Sequence, residues 1–156
     1  LSLDVTFDDP ADVKNYYNVR VVINYVRTFQ FPGDPAPRTD SLRSIFNAVI
    51  TDPAISIAED RKRRFSDETF NGTTYTAPLD VDLHYAPDAK VYRIDLVLES
   101  MSEDYFRYEE SSSLYYEVAE DPFAQPVQVH SNVVNGFGIF SGASSDQRSW
   151  HRTPEP

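Results

Sequence analysis

Adjacent carboxylates are the residues of this chain whose types and spacing best fit hydrolytic chemistry. Asp67 and Glu68 are neighbours in sequence, and a second acidic group is formed by Asp8, Asp9 and Asp12. Two carboxylates held at a set distance can act as acid and base on a glycosidic bond. Such residues also cap turns, and calcium is a minor hypothesis at either group, although neither follows a calcium-loop spacing. A glycan- or peptide-acting hydrolase that uses Asp67 and Glu68 is therefore one alternative.

Other catalytic and metal-binding patterns are poorly represented. The three histidines, His84, His130 and His151, match no zinc spacing, and no cysteine is present to assist them. Ser141 stands in Phe-Ser-Gly and lacks the first glycine of a nucleophile elbow. The chain also has no phosphate-loop or dinucleotide-binding motif. We therefore predict a non-catalytic protein without a cofactor.

Tyrosine is unusually frequent, with ten residues, four of them in the pairs Tyr16-Tyr17 and Tyr115-Tyr116. Exposed aromatic side chains can bind a sugar or a partner protein, and packing in the core or on a helix is the alternative. Successive side chains of a strand point to opposite faces, so one member of a pair in a strand faces away from the core. We predict Tyr16 and Tyr116 as a binding surface.

Alternation of apolar and polar residues predicts strands at residues 1–7, 16–27, 79–85 and 92–98. The last two runs are expected to pair as antiparallel neighbours, and Asn71-Gly72 is expected to form a hairpin corner. Ser100 and Glu103 have the spacing of a capping box. Segments 127–130 and 136–140, together with residues 147–150, are expected to close the sheet.

These elements predict a mainly β protein. Several half-buried strands need a second apolar layer, so we expect an antiparallel β-sandwich, immunoglobulin-like or related, with one amphipathic α-helix near residues 101–117. Residues 1–152 are expected to form a single domain, and residues 153–156 a flexible tail.

Charge and composition exclude several classes of partner. The 156 residues include 14 basic and 25 acidic side chains, a net charge of −11. This balance argues against nucleic-acid binding and against a polybasic membrane contact. No apolar run reaches the ~18 residues of a transmembrane helix. The chain starts at Leu1 within a strand-like run, so we expect a fragment of a longer protein whose targeting signal lies upstream.

Four segments resemble the C-terminal half of a family of bacterial outer-membrane lipoproteins, domain-of-unknown-function family 4249. The last of them carries a closing Pro-Val-x-x-x-Ser-Asn-x-x-x-Gly-x-Gly-Ile-Phe motif. Together they span nearly the whole chain. The segments are FDDPADVKNYYNVRV (7–21), FSDETFNGTTY (65–75), LESMSEDYFRYEESSS (98–113) and DPFAQPVQVHSNVVNGFGIFSG (121–142).

The resemblance implies an all-β domain with one helix, held at the cell surface by a lipid anchor that lies outside this chain. It also implies a role beside a TonB-dependent receptor or another envelope protein, and it supplies no catalytic residues. We therefore expect a non-catalytic accessory binding domain related to nutrient uptake in the outer membrane. The alternatives are the carboxylate hydrolase and a structural subunit of an envelope complex, for which a large flat apolar patch would be the sign.

Overall fold

The computed structural model describes residues 1–55, 63–84, 88–119 and 123–151, and the predicted tail at 153–156 lies outside these residues. Within them the chain forms strands and one helix. The elements are β1 (Ser2–Asp8), β2 (Tyr16–Phe29), β3 (Arg38–Asn47), β4 (Val49–Ile50), β5 (Arg64–Ser66), β6 (Thr74–Asp80), β7 (Lys90–Met101), α1 (Glu103–Val118) and β8 (Ala143–His151).

The strands form two antiparallel sheets. The first sheet has the order β1-β6-β4, and the second has the order β3-β2-β7-β8 with β5 on the edge of β2 beside β3. Their facing side chains form one core, to which the first sheet contributes Val5 and Leu79 and the second sheet Val19, Val21 and Leu96. The predicted mainly β sandwich with one helix is confirmed.

The pairing of the strands differs from the prediction. Residues 79–85 and 92–98 were expected to be neighbouring strands. The first of these strands is predicted wrongly beyond Asp80, because β6 ends there and residues 81–84 are not strand, while residue 85 lies outside the described residues. β6 pairs with β1 and β4, whereas β7 pairs with β2 and β8. Asn71-Gly72 is likewise no hairpin corner, because β5 belongs to the second sheet and β6 to the first. The turn between them therefore crosses from one sheet to the other. Alternation identifies the buried face of a strand and carries no information about its neighbour.

Helix α1 confirms the predicted helix, but its N-cap is Ser102 and not Ser100. The hydroxyl oxygen of Ser102 accepts a hydrogen bond from the Tyr105 amide at 3.4 Å. Ser100 still belongs to β7, because that strand continues to Met101 and pairs there with β2 and β8. α1 lies on the face of the second sheet that is turned away from the first sheet, where the Phe106 ring packs at a tilt against that of Tyr16.

The C-terminal prediction is wrong in part. Segments 127–130 and 136–140 are not strands, and the sheet is closed by β8 alone. None of the described residues from 123 to 142 is buried. Their Phe and Gly residues therefore do not complete the core.

Candidate functional site

The segments at 7–21 and 65–75, two of the four that carry the family resemblance, are joined by buried acidic side chains. Asp9 accepts a hydrogen bond from the Tyr17 hydroxyl and another from the Gly72 amide at 2.8 Å. Gly72 has φ +73°, and an added Cβ would stand 2.7 Å from the Cβ of Ala11. The turn thus requires glycine for both its backbone angle and its closeness to residue 11. These residues hold the turn against the first strands.

Burial, and then the contact with Asp9, raise the pKa of Tyr17 well above its ordinary value. The phenol therefore stays protonated and serves as a hydrogen-bond donor inside the core. The pair formed by Asp9 and Tyr17 acts as a structural connection between the loop after β1 and the strand β2.

The carboxylates of Asp67 and Glu68 have different surroundings. Asp67 is buried, and its Oδ2 accepts from the Asn15 amide at 2.8 Å, whereas its Oδ1 has no partner among the described residues. Glu68 is exposed and forms an ion pair with Lys14. No observation favours the two as an acid and base pair, and the hydrolase stays a prediction. Within the described residues, no group of three or more His, Asp or Glu could hold a metal ion such as calcium.

The segments at 98–113 and 121–142 form a second joined pair. Asp104, in the first turn of α1, accepts from Asn132 Nδ2 at 2.9 Å and lies 2.8 Å from His130 Nε2. The amide of His130 donates to the Ser111 hydroxyl at 2.8 Å. The Ser102 amide donates to the Gly142 carbonyl at 2.9 Å. The N-cap and the first nine residues of α1 therefore hold both ends of the segment between residues 130 and 142.

Between these two ends the chain forms a closed loop, residues 131–140, which we name the apolar loop. The Asn132 side chain accepts from the Phe140 amide and donates to the Phe140 carbonyl, each at 2.8 Å. The Ser131 hydroxyl donates to the Gly138 carbonyl at 2.9 Å. Asn135 and Gly138 adopt positive φ angles of 59° and 113°, which let the chain reverse. The backbone of the loop is therefore ordered by its own side chains.

The apolar loop exposes large hydrophobic side chains. Val134 and Phe140 are 86% and 89% exposed, Phe137 is fully exposed, and Val133 is partly exposed. Contiguous apolar residues on an ordered surface segment commonly mark a contact site for another protein. The sequence gives no separate signal for this surface, because the same glycine-rich apolar spacing also predicts a segment that closes the core.

The family model for a domain of unknown function, DUF4249, matches residues 1–149. The chain belongs to this family. The match covers all four resembling segments and both joined pairs, and it confirms the family named from the motifs. Neither a curated protein nor a solved structure matches the chain.

The two tyrosines that were predicted to bind do not share a surface in this DUF4249 chain. Tyr16 is only 7% exposed because α1 covers it, with the Phe106 ring at 4.6 Å, whereas Tyr116 is 72% exposed. Phe106 and Tyr116 are ten residues apart on α1, which corresponds to about 15 Å along a helix axis. The expectation that Tyr16 is exposed is therefore wrong, and Tyr116 stays a candidate by itself.

The DUF4249 fold also contains two small cavities beside Trp150 of β8, and the first of them is lined by Leu3 of β1 as well. One has a volume of about 240 Å³ and the other about 340 Å³, and both are lined by Ile94 and Trp150. Sites for small ligands usually measure roughly 300–1,000 Å³ and contain convergent polar groups. The first cavity is smaller than that and almost wholly apolar.

Within the described residues, no helix has both the length and the apolarity to cross a membrane.

We predict that the anchoring of the apolar loop depends on the charge of Asp104. Hydrogen bonds, first from His130 and then from Asn132, lower the pKa of Asp104 below its ordinary value of 3.8. Because the folded-state pKa is depressed, the anchoring is fully present above about pH 3.8 and is lost as the pH falls through the lower folded pKa. The chemical shift of the Phe140 amide, followed by NMR during acidification, should therefore change in one step below that pH.

Two variants test whether Asp104 causes this change in the chemical shift of the Phe140 amide. Asp104→Ala should abolish it, and Asp12→Ala, which removes an exposed carboxylate of the loop after β1, should leave it unchanged. A step that persists in Asp104→Ala would show that another group controls the loop.

Proposed function

We propose that this chain is a non-catalytic accessory binding domain of an outer-membrane lipoprotein that acts at the cell surface. In this proposal it accompanies a TonB-dependent receptor in nutrient uptake, and the apolar loop contacts that receptor. The lipid anchor belongs to a part of the protein outside this chain. The outer-membrane setting and the receptor rest on the family resemblance, and the contact surface rests on the geometry of residues 131–140.

The observation that carries the proposal is the exposure of Val134, Phe137 and Phe140 on a loop whose backbone is already ordered. Aromatic side chains are among the residues that contribute most to protein interfaces. A surface ordered before binding loses less conformational entropy when the partner arrives. The hydrogen bonds of Asn132 supply that order here. The apolar loop is therefore suited to bind a complementary apolar depression of another protein.

The test is capture of a TonB-dependent receptor from detergent-solubilised outer membranes of the native host by the immobilised chain, with mass spectrometry as the readout. The double variant Phe137→Ser/Phe140→Ser should lower recovery of that receptor by at least about tenfold, because each aromatic anchor of an interface contributes on the order of 1–2 kcal/mol. Phe31→Ser provides the matched control, since Phe31 is also an exposed phenylalanine in a loop, between β2 and β3.

The control variant should recover as much receptor as the unchanged chain. Failure of the unchanged chain to recover any TonB-dependent receptor would contradict the proposed function. Equal recovery by the double variant and the unchanged chain would reject the apolar loop as the contact surface while leaving the receptor partnership intact.

A further inference from the structure

Strand β8 is an edge strand whose outer edge pairs with no other strand among the described residues. It ends the order β3-β2-β7-β8, and all nine of its residues are exposed. Proteins commonly protect such an edge with charged side chains, above all lysine, with proline or with a bulge. β8 contains neither lysine nor proline, its register with β7 is unbroken from Ala143 to His151, and its two charged residues, Asp146 and Arg148, have opposite signs. The free edge of β8 can therefore accept another strand.

The hydrogen bond between Ser102 N–H and the Gly142 carbonyl shows which residues of β8 face that edge. Residues 102 and 142 continue the antiparallel register of β7 and β8, so they form a hydrogen-bonded pair. Alternate residues share this orientation, and the even-numbered residues of β8 direct their backbone groups to β7. The odd-numbered residues 143, 145, 147, 149 and 151 direct theirs to the free edge. These five positions are symmetric about Gln147.

The charges of β8 are complementary to a second copy of the same strand. If two copies of β8 pair antiparallel about Gln147, Asp146 of each copy lies directly opposite Arg148 of the other. The two residues would form a pair without backbone hydrogen bonds, the type in which side chains approach more closely. Opposite charges at directly facing positions stabilise paired strands. Within the described residues neither side chain forms an ion pair in the single chain, where the Asp146 carboxylate instead accepts a hydrogen bond from the Gln147 N–H at 2.9 Å.

The neighbouring registers are unfavourable. The twofold axis could also pass through residue 146 or residue 148. The odd-numbered residues of the two copies would then still lie opposite one another, so the same backbone N–H and C=O groups could pair. A centre at residue 146 places Asp146 opposite Asp146 of the second copy, and a centre at residue 148 places two arginines face to face. Like charges at directly facing positions are destabilising. Charge therefore selects the register that also uses the whole length of the strand.

We propose that β8 is a self-association edge, and that two copies of this chain form a twofold-symmetric dimer by antiparallel pairing of β8 with Gln147 at the axis. The second sheets of the two copies then become one continuous antiparallel sheet. The same surface serves both copies, as a twofold interface requires. This inference does not rest on the receptor proposal, because it uses neither the apolar loop nor a membrane partner.

The test uses two charge reversals and measures mass in solution by sedimentation over a range of protein concentrations. The unchanged chain should reach twice its 17.8 kDa mass as the concentration rises. Asp146→Arg and Arg148→Asp should each weaken dimerisation by about tenfold or more, because each turns both facing pairs into like charges. An equimolar mixture of the two variants should form a heterodimer, since it again places Arg opposite Asp at both positions.

A third variant tests the backbone pairing. Gln147→Pro removes an N–H that faces the free edge and donates there to the Asp146 carboxylate at 2.9 Å, not to β7, so the single chain should fold and stay monomeric. Circular dichroism checks that it folds. Three outcomes would overturn the proposal: an unchanged chain that is monomeric at all concentrations, a folded Gln147→Pro variant that still dimerises, or a mixture of reversals that stays monomeric.

Discussion

Replacing Phe65 by alanine should lower the free energy of unfolding by about 3–5 kcal/mol, the usual loss for a buried phenylalanine. Phe65 lies on β5 and is one of the most completely buried large side chains among the described residues. Its ring lies 6.5 Å from that of Phe7 and 6.4 Å from that of Tyr75, both on the first sheet, and 5.6 Å from that of Tyr17 on the second. It therefore fills the space between the two sheets at one end of the core.

The loss is expected at the upper part of this range because the surrounding rings cannot easily move into the empty space. Tyr17 is held by Asp9, and the Tyr75 hydroxyl donates to Asp52 at 2.7 Å. A cavity that cannot collapse adds its own destabilisation to the lost burial of the side chain. Urea unfolding monitored by circular dichroism measures the effect.

Phe31→Ala supplies the control for this measurement, because Phe31 is 61% exposed and should change stability by less than about 0.5 kcal/mol. A loss below about 1.5 kcal/mol for Phe65→Ala would mean that the neighbouring aromatic side chains repack around the site.

Replacing Asp95 by alanine should destabilise the chain by about 2–4 kcal/mol, because this buried carboxylate links three neighbouring strands of the second sheet. Its Oδ2 accepts from Arg93 at 2.8 Å and from Asn24 of β2 at 3.0 Å. Its Oδ1 accepts from the Ser149 hydroxyl of β8 at 2.7 Å. Alanine would leave these donors without their shared, buried acceptor.

The same carboxylate makes stability depend on pH. Burial opposes the charged form of Asp95, but hydrogen bonds from Arg93, Ser149 and Asn24 outweigh burial and hold its pKa below the ordinary 3.8. A group with a lowered folded-state pKa stabilises the fold fully above about pH 3.8, and this contribution is lost as the pH falls through the folded pKa. The difference between the unchanged chain and Asp95→Ala should therefore shrink in acid.

Urea unfolding at several pH values measures that difference. Asp82→Ala is the matched control, since Asp82 is exposed and its partner among the described residues, His84, is exposed as well, so its effect should stay within about 0.5 kcal/mol. A difference for Asp95→Ala that does not change with pH would contradict the charged, hydrogen-bonded state of this residue.

Local pattern was sufficient to identify many of the elements. The alternation in residues 1–7 and 16–27 corresponds to β1 and β2, and the helical segment corresponds to α1. Side-chain period and apolar content are properties of a few consecutive residues, and burial of one face is what makes a strand stable. The family was also recognisable from its motifs. Several residues of these motifs make specific hydrogen bonds in the structure, which restricts the residue types that can stand there. Asp9, Gly72, Asp104 and Asn132 are among these residues.

The predicted exposure of Tyr16 is wrong. The alternation of a strand shows which side chains point away from the core, but an element much later in the chain can still cover them. Phe106 stands ninety residues after Tyr16 and buries it. The exposure of Phe137 and Phe140 was missed for the converse reason. A glycine-rich apolar segment can close a core or lie on the surface, and only its attachment to Asp104 and Ser102 decides between the two.

The amino-acid sequence by itself determined the mainly β class, the single helix and the family, because these depend on residue period and on short motifs. The tertiary structure alone decided which strands are neighbours, that the acidic turn residues hold the fold together, and that the C-terminal aromatic residues are exposed. The physical reason is the distance along the chain. Contacts such as those of Asp95 with Asn24 and Ser149, or of Asn132 with Asp104, join segments many residues apart, and no local pattern specifies them.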